Sequence, residues 1–354
     1  MYLIRARRGV WVAAGVVGVM LAGAASPAGA QQKDEKKQQD KFSKEERQEI
    51  QALVQLTDGA MQGKAAEAFP IAWHGDSMKG QEGRIYVPFT IAFDTAAVTT
   101  KRIGVYLRVV ARTPAADAAE PKAEAQAKPA AQLYAYEDVW FADLKQPPAG
   151  QPYRLSRAFM VTAGEYDVYV AVRESNPAKG ATPRAAVLRQ NTTAPDYYNG
   201  ELATSSIIIA DSVEPLSKPV PADQQVEKPY ALGSMEIVPA TDEVFEKGQE
   251  LSIIFMIYNP TLQDRKPDVN VEYKFHQRGA DGSEKYFNRT PPTALNAQTL
   301  PPGFDLESGH QLVAGQSVPL GSFPDGQYRL EIEITDNLSK KTLTRDVLFT
   351  VQGS

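Results

Sequence analysis

The sequence contains no cysteine among its 354 residues. This absence excludes disulfide bonds, cysteine-ligated zinc and thiol catalysis. Histidine is almost as scarce, and His74, His276 and His310 lie far apart, with no second histidine at metal-ligand spacing. Because a zinc site needs several converging ligands, we expect no histidine metal centre. A chain without disulfides must instead be held together by its hydrophobic cores.

Long hydrophobic runs are absent outside the first thirty residues. Three arginines open the chain, an apolar stretch follows, and Ala28-Gly29-Ala30 matches the cleavage site of a secretory signal. An uncleaved membrane anchor is the alternative, but the run is at the short end of the roughly 20 residues that a spanning helix needs. We therefore predict that residues 1–30 are a signal peptide. The mature protein is expected to be periplasmic or secreted, with no transmembrane segment.

Positive charge is in short supply as well. Signal cleavage would remove three of 38 basic residues and none of the 43 acidic ones, which leaves a net charge of −8. An acidic balance argues against nucleic acid, and against an anionic membrane surface, as a partner. An envelope protein or a glycan remains the expected class of partner.

The motifs of common enzymes are also missing. The sequence has no G-x-S-x-G elbow and no glycine-rich loop between a strand and a helix. Glu331 and Glu333 share one face of a predicted strand and could imitate a glycosidase pair, but alternation explains them as the solvated side of that strand. We predict no enzymatic activity, no cofactor and no metal site. Calcium binding stays open, because distant loop acids can combine around that ion.

Two segments of this sequence share the same predicted strand pattern. Residues 164–173 return as 326–335, and in both copies a glycine and a tyrosine, Tyr166 or Tyr328, lead into strict alternation of apolar and polar residues. Such alternation is typical of a half-buried strand in a β-sandwich. The tyrosines are similar to the corner tyrosine of immunoglobulin-like domains, whose hydroxyl bonds back to the backbone. We predict an all-β chain of two tandem immunoglobulin-like or fibronectin-like β-sandwiches, preceded by a short amphipathic helix.

Changes in composition divide the rest of the chain. A capping box of Ser43 and Glu46 predicts an amphipathic helix over 43–63. We expect this helix to pack on the first sandwich, and a partner-binding or oligomerising helix is the alternative. The other predicted segments are a disordered polar leader at 31–42, a first sandwich at 70–210 that closes with strands at 185–190 and 203–210, a flexible insertion at 113–131, a proline-rich linker at 211–229, and a second sandwich at 230–354.

Pairs of aromatic residues offer the clearest candidates for ligand contacts. Trp140 and Phe141 end a predicted strand, while Tyr197 and Tyr198 adjoin in a turn-rich segment. Neighbours on a strand face opposite ways, so one of each pair is expected at the surface if that side of the sheet is uncovered. Trp140, Tyr197 and Tyr198 are therefore candidate contacts for a sugar ring or a protein partner. The alternative is that they pack the edge between sandwich and linker.

Two functions fit these observations. The first is an exported, non-enzymatic interaction or envelope-scaffold protein, because sandwich modules are scaffolds whose function lies in grafted sites. The alternative is a carbohydrate-binding module that uses exposed aromatic residues.

Several short pieces of the sequence resemble exported acidobacterial proteins of unassigned function. These pieces are Phe42-Ser43-Lys44-Glu45-Glu46, Tyr86-Val87-Pro88-Phe89-Thr90, Ala163-Gly164-Glu165-Tyr166, Phe245-Glu246-Lys247-Gly248 and Tyr258-Asn259-Pro260. The ends of those proteins are similar to the sandwich regions beside GWxTD and acidobacterial VWFA-related domains. The resemblance covers most of the mature chain and implies sandwich modules and export. It implies no catalytic residue, because the Gly-Trp-x-Thr-Asp motif is absent from this sequence.

Overall fold

The computed structural model describes residues 42–64, 66–112, 134–147, 151–221 and 224–353. They form two compact units, which we call the first and second modules. The first module ends at Tyr198 and also includes residues 224–229, and the second contains Asn199–Pro221 and the chain from Tyr230 onward. The predicted signal peptide, the leader up to residue 41 and the insertion at 113–131 lie outside the described residues.

Helix α1, Lys44–Met61, begins with the predicted capping box. The hydroxyl of Ser43 accepts a hydrogen bond from the Glu46 amide at 3.1 Å, and the Glu46 carboxylate accepts one from the Ser43 amide at 2.9 Å. These bonds satisfy two amide groups that a helix start otherwise leaves unpaired. Leu53 and Thr57 are the buried residues of the helix. The predicted helix is therefore confirmed.

The first module is a sandwich of two four-stranded sheets. Its strands are β1 (Ala72–Gly75), β2 (Met78–Lys79), β3 (Ile85–Phe93), β4 (Arg102–Ala111), β5 (Tyr136–Asp143), β6 (Tyr153–Val161), β7 (Gly164–Ser175) and β8 (Ala185–Ala194), with a 3-10 turn at Thr95–Ala97. In one sheet β3 pairs with β1, β2 and β6, and the other has the order β5–β4–β7–β8. Between the sheets, the ring of Phe159 on β6 lies 6.0 Å from that of Phe89 on the neighbouring strand β3. It also lies 5.9 Å from the ring of Tyr136, which belongs to the other sheet.

The second module is built from two larger sheets and a small hairpin. Its strands are β9 (Ala203–Thr204), β10 (Ile208–Pro215), β11 (Ala231–Leu232), β12 (Met235–Pro239), β13 (Val244–Glu246), β14 (Glu250–Tyr258), β15 (Leu262–Gln263), β16 (Lys266–Pro267), β17 (Val269–Arg278), β18 (Glu284–Arg289), β19 (Thr293–Leu295), β20 (Leu312–Pro319), β21 (Gly326–Asp336) and β22 (Thr342–Gln352). One sheet has the order β11–β12–β10–β14–β20 with β9 on β14, and the other has the order β13–β22–β21–β17–β18 with β19 on β17. One core between them contains Phe255, Tyr273 and Phe349.

Strand pairing corrects the predicted border between the modules. We expected residues 203–210 to close the first sandwich and 211–229 to form a linker. Instead β9 and β10 pair with β14, and β10 continues to Pro215 inside the predicted linker. Residues 224–229 belong to the first module. The prediction failed because the apolar run at 207–209 suits either core, and alternation alone does not identify the strand beside it.

Both modules contain the predicted tyrosine corner. The hydroxyl of Tyr166 donates to the carbonyl of Thr162 at 2.9 Å, and the hydroxyl of Tyr328 donates to the carbonyl of Pro324 at 2.8 Å. Each bond reaches four residues back, into the turn before the strand. Both tyrosine side chains are buried. The repeated segment therefore starts in the same way in both sandwiches, as the sequence predicted.

A buried carboxylate holds the other end of the same strand. In β7, Glu174 accepts a hydrogen bond from the Thr99 hydroxyl at 2.8 Å. In β21, Asp336 accepts one from the Thr261 amide at 2.8 Å and one from the Ser339 hydroxyl at 2.6 Å. Thr99 and Thr261 are separated by 162 residues, as are the two acids and the two corner tyrosines. The internal repeat therefore includes a polar clamp between a loop and a strand end.

Hydrogen bonding outweighs burial at both clamps. Desolvation alone would raise the pKa of Asp336, but hydrogen bonds from Ser339 and Thr261 lower that pKa to about 2. Burial likewise opposes ionisation of Glu174, yet bonds from the Arg184 and Thr99 amides lower its pKa. Both carboxylates are therefore held in the charged form, which is the form that accepts these hydrogen bonds best.

We expect Tyr328→Phe to destabilise the second module and Tyr166→Phe the first. Each change leaves a turn carbonyl without its donor, which costs about 1 to 3 kcal/mol if the carbonyl stays buried. Urea unfolding of the full chain measures the effect. Tyr286→Phe is a matched control, because that side chain is 53% exposed, and its effect should stay within about 0.5 kcal/mol. Equal losses in all three variants would contradict the assigned role of the corner hydroxyls.

We expect the Asp336 clamp to weaken in acid. Its folded pKa, about 2, lies below the ordinary value of 3.8. The clamp therefore stabilises the fold fully above about pH 5 and loses about 2 kcal/mol as the pH falls towards 2. Urea unfolding between about pH 6 and about pH 2 should show the stability difference between wild type and Asp336→Asn shrinking by that amount.

The control for this pH series is Asp325→Asn. Asp325 is an exposed partner of Lys247, with the two charged atoms 2.7 Å apart, so solvent screens the pair and its pH dependence should be smaller. A stability difference for Asp336→Asn that does not vary with pH would contradict the clamp.

Candidate functional site

The structure buries Trp140, the first of the three predicted ligand contacts. The guanidinium group of Arg157, on β6, lies over the indole at 5.0 Å from its ring centre. The indole Nε1 has no hydrogen-bond partner among the described residues. Because a neighbouring cation covers the ring and the side chain is enclosed, Trp140 does not present a surface to a sugar. Trp140 is therefore not an exposed member of the Trp140–Phe141 pair, and the structure agrees with the alternative that this residue packs.

The two adjacent tyrosines differ in exposure. Tyr197 is buried, and its hydroxyl lies 2.7 Å from that of Ser77. Tyr198 is 41% exposed, and its hydroxyl donates to the Gly80 carbonyl at 2.7 Å. The ammonium group of Lys79 lies 4.6 Å from the Tyr198 ring centre. Of the three predicted contacts Tyr198 alone is exposed, and a lysine lies over its ring.

Helix α1 covers the outer face of the first module's β5–β4–β7–β8 sheet. Leu53 packs there against Tyr106 and Ala171. A Cβ at Gly104 would lie 3.1 Å from the Leu53 side chain, so the glycine leaves the space that Leu53 fills. At the first turn of the helix, Glu46 pairs with Arg102 at 2.7 Å. The expectation that the helix packs on the first sandwich is confirmed.

Arg108 anchors the last turn of the helix to the same face. Its guanidinium group lies 2.5 Å from the Asp58 carboxylate and 3.0 Å from that of Glu137. The rings of Tyr106 and Tyr134 lie against it, with centres 5.2 and 4.0 Å from its central carbon. A buried arginine is tolerated when its donors and its flat faces are satisfied in this way. The helix and Arg108 therefore cover the central part of this face.

The equivalent face of the second module has a different composition. The described residues of this module include no helix. In the first module Val105 lies opposite Val172, and in the second Val271 lies opposite Ile334. Val172 and Ile334 are equivalent in the internal repeat, so Val105 corresponds to Val271. The positions of Tyr106 and Arg108 therefore correspond to Glu272 and Lys274. We call the outer side of β18–β17–β21–β22 the charged face, and its residues include Glu272, Lys274, His276, Glu284, Tyr286, Arg289, Arg329, Glu331, Glu333, Asp346 and Leu348.

Two cations organise the charged face. The ammonium group of Lys274 lies 3.0 Å from Glu333, 3.6 Å from Glu331 and 3.4 Å from Glu272. The guanidinium group of Arg329 bridges strands in the same way, at 2.9 Å from Glu284, 3.0 Å from Glu331 and 2.6 Å from Asp346. Glu331 belongs to both groups. The ion pairs therefore form one continuous network across four strands.

The network favours the ionised form of Glu331. The hydrogen bond from Arg329 lowers the pKa of Glu331, and the bond to Glu333 raises the pKa of Lys274. A glycosidase acid needs the opposite shift, towards a carboxyl group that stays protonated near neutral pH. Glu331 and Glu333 lie on the outer face as predicted, but they are paired with a lysine and only partly solvated. Their chemistry is that of a strand-linking ion pair.

One row across the charged face combines exposed and charged side chains. Strand register aligns Tyr286 with His276, His276 with Arg329, and Arg329 with Leu348. Tyr286 is 53% exposed and Leu348 is 45% exposed, and these two residues lie at opposite ends of the row. Sequence reasoning missed this row because its members come from four separate strands. The alternation of the strand could have indicated one member, because Leu348 lies between the inward-facing Val347 and Phe349 and must therefore face outward.

Acidic loop residues have protein partners. Asp305 accepts a hydrogen bond from the Ser308 hydroxyl at 2.7 Å and is paired with Arg265. No group of three or more acidic or histidine side chains in the described part of the chain is arranged to hold a metal ion. Across the same residues, no helical segment combines the length and apolar character that a bilayer crossing requires.

Comparisons with known proteins return distant structural similarity. No family model and no curated protein matches the chain. A crystal structure of a Salmonella alpha-2-macroglobulin mutant is similar at 11% identity over 80% of this chain and 16% of that one, with a TM-score of 0.21. Trypsin-activated alpha-2-macroglobulin from Escherichia coli is similar at 11% identity over 81% and 17%, with a TM-score of 0.22. The native E. coli alpha-2-macroglobulin is similar at 12% identity over 80% of this chain and 16% of that one, with a TM-score of 0.20. The chain spans about one sixth of the length of these proteins. Its all-β sandwich fold follows from the strand pairing described above.

Proposed function

We propose that this chain is an exported, non-enzymatic interaction protein that binds a protein partner through the charged face of its second module. The observation that carries the proposal is the contrast between two equivalent faces. In the first module α1 covers the central part of this face, whereas in the second no described helix covers it and Tyr286 and Leu348 are half exposed. Large exposed apolar groups beside arginine are typical of the residues that dominate protein interfaces.

The ion pairs of this face favour a protein partner with charges of both signs. Acids and bases alternate across the strands, so the face has no large field of one sign that would attract a polyanion or a polycation. A partner would gain specificity by matching this alternation, while Tyr286 and Leu348 supply apolar contact. The acidic net charge of the mature chain is consistent with this class of partner.

Glycan binding is retained as a second candidate through Tyr198. Its 41% exposure supports contact with a ligand. Lys79 over the ring limits stacking to the opposite side. Trp140 and Tyr197 do not contribute, because both are buried. A glycan site would then consist of one aromatic residue, whereas the charged face offers several residues in one row.

Export is the first part of the proposal to test. Its support is the sequence of residues 1–30, which resembles a secretory signal ending at Ala30. Mass spectrometry of the native protein should find Gln31 at the mature N-terminus, in a periplasmic or secreted fraction. Recovery of intact residues 1–30 in a membrane fraction would contradict export as a soluble protein.

Site-specific crosslinking tests the interaction surface. We expect p-benzoylphenylalanine at position 286 of the full chain to give a discrete protein adduct in cells. The same amino acid at position 198 is the matched control, because both tyrosines are exposed. Leu348→Asp should reduce the adduct from position 286 about fivefold or more, since a buried charge replaces an apolar contact. An adduct that forms equally well at 198, or that ignores Leu348→Asp, would contradict the proposed surface.

A further inference from the structure

Strand β22 is covered along only part of its outer edge. Its inner edge pairs with β21 from Thr342 to Val351. On the outer edge β13 runs parallel to it and pairs at Thr350, Val351 and Gln352 only. No other described strand pairs with β22. Residues 342–349 therefore form a stretch of edge without a strand partner in the described part of the chain.

Backbone geometry defines which groups this edge presents. The Thr350 amide donates to the Glu243 carbonyl at 2.7 Å, so the backbone groups of Thr350 point outward from the sheet. Peptide groups alternate in direction along a strand, which gives Leu348 and Asp346 the same outward direction. No backbone partner for either residue on that side is found among the described residues. The edge therefore presents the N–H and C=O groups of Asp346 and Leu348.

The far end of the stretch is closed by Arg345. Its guanidinium group donates to the Thr344 carbonyl at 3.4 Å and to the Thr204 hydroxyl at 3.0 Å. The open part of the edge is consequently short and lies between Arg345 and the start of β13. Such an edge can accept a few residues of extended chain, as in other cases of strand addition.

Two exposed aliphatic side chains lie where β13 begins. Val244 is 44% exposed and pairs with Thr350, and Leu348 is 45% exposed and lies two residues before Thr350 on the same side of the sheet. Isolated aliphatic residues on a surface are ordinary, but these two are neighbours beside unpaired backbone groups. The edge thus offers backbone hydrogen bonds together with an apolar contact.

We propose that this open edge of β22 accepts an extended segment of a partner protein as an added strand that continues the parallel pairing begun by β13. The inference rests on the proposed function in taking a polypeptide as the partner, and it uses the backbone edge of β22 together with Asp346 and Leu348, which also belong to the charged face. The side chains of the edge define the chemistry of the partner segment. Its inward-facing residues, beside Val347 and Phe349, are apolar, and the residue beside the outward-facing Leu348 is aliphatic. A basic residue suits the position beside Asp346.

A second copy of this chain fits the edge less well. Two copies paired antiparallel about Asp346 would place it opposite Asp346 of the other copy, and pairing about Val347 would place Asp346 opposite Leu348, so neither register gives Asp346 a basic partner. Like charges directly opposite each other destabilise a sheet. We therefore commit to a different polypeptide, and self-association through this edge is an outcome that would overturn the proposal.

The probe for this edge is a fluorescein-labelled synthetic peptide that alternates valine with threonine and lysine. Fluorescence anisotropy measures its binding to the full chain. The matched variants are Asp346→Pro and Asp346→Ala, which both remove the carboxylate, while the proline also removes the outward N–H. Because that N–H is not part of the pairing with β21, an edge proline is compatible with the sheet. We expect the proline variant to bind about tenfold more weakly than the alanine variant, as the loss of a hydrogen bond predicts.

Hydrogen exchange by NMR supplies a second measurement. The Asp346 and Leu348 amides should exchange rapidly in the free chain and slowly with the peptide, and a peptide N-methylated on the amides that face the protein should give no protection. Slow exchange in the free chain, equal binding by the two variants, or no binding of the peptide would each overturn the proposal. So would protection that appears with chain concentration alone, which indicates self-association. The adduct at position 286 of the otherwise unchanged chain forms without the added peptide, so its failure is distinguishable from a failure of peptide binding at the edge.

Discussion

The central strand of each sandwich is fixed at both ends, and the composition of every face depends on that constraint. Tyr166 and Tyr328 bond to the turn before the strand, and Glu174 and Asp336 bond to a loop at its end. A slip of one residue would turn every inward side chain to the outside. Two polar anchors separated by the length of the strand oppose such a slip, because a shifted strand would leave buried hydrogen-bonding groups unpaired. The row of Tyr286, His276, Arg329 and Leu348 exists only in this register.

The two modules use the same outer face in opposite ways. In the first, Ala171 and Gly104 are small enough for α1 to approach, and Leu53 fills the space between them. In the second, the equivalent positions carry Asn270 and Glu333, and Glu333 would need an ordered partner if a helix covered it. Burying such charges costs more than leaving them partly solvated. The two sandwiches thus differ in this face, which suits a helix of the same chain in the first module and water or a polar partner in the second.

Sequence patterns predicted those features that depend on neighbours along the chain. The capping box of Ser43 and Glu46 and the two tyrosine corners are local, so spacing alone identified them. The pairing of β10 with β14 and the burial of Trp140 depend on residues far away in sequence. Trp140 and Phe141 were expected to leave one ring exposed, but Arg157 covers the first, and Phe42 lies 6.0 Å from the second. The buried acids Glu174 and Asp336 were missed because alternation describes faces and not strand ends.

The charged face and the open edge of β22 belong to one sheet, and Arg329 connects them. Its guanidinium group reaches Glu284 on the β18 side and Asp346 on the β22 side. A basic residue of an added strand beside Asp346 would compete with Arg329 for that carboxylate. Arg329 would then pair mainly with Glu284 and Glu331, and Glu331 lies 3.8 Å from the His276 ring nitrogen. Occupation of the edge would in this way alter the charge pattern that a partner meets on the face, without any movement of the backbone. Coupling of this kind is reciprocal, so a partner on the face that draws Arg329 away from Asp346 would favour a basic segment at the edge.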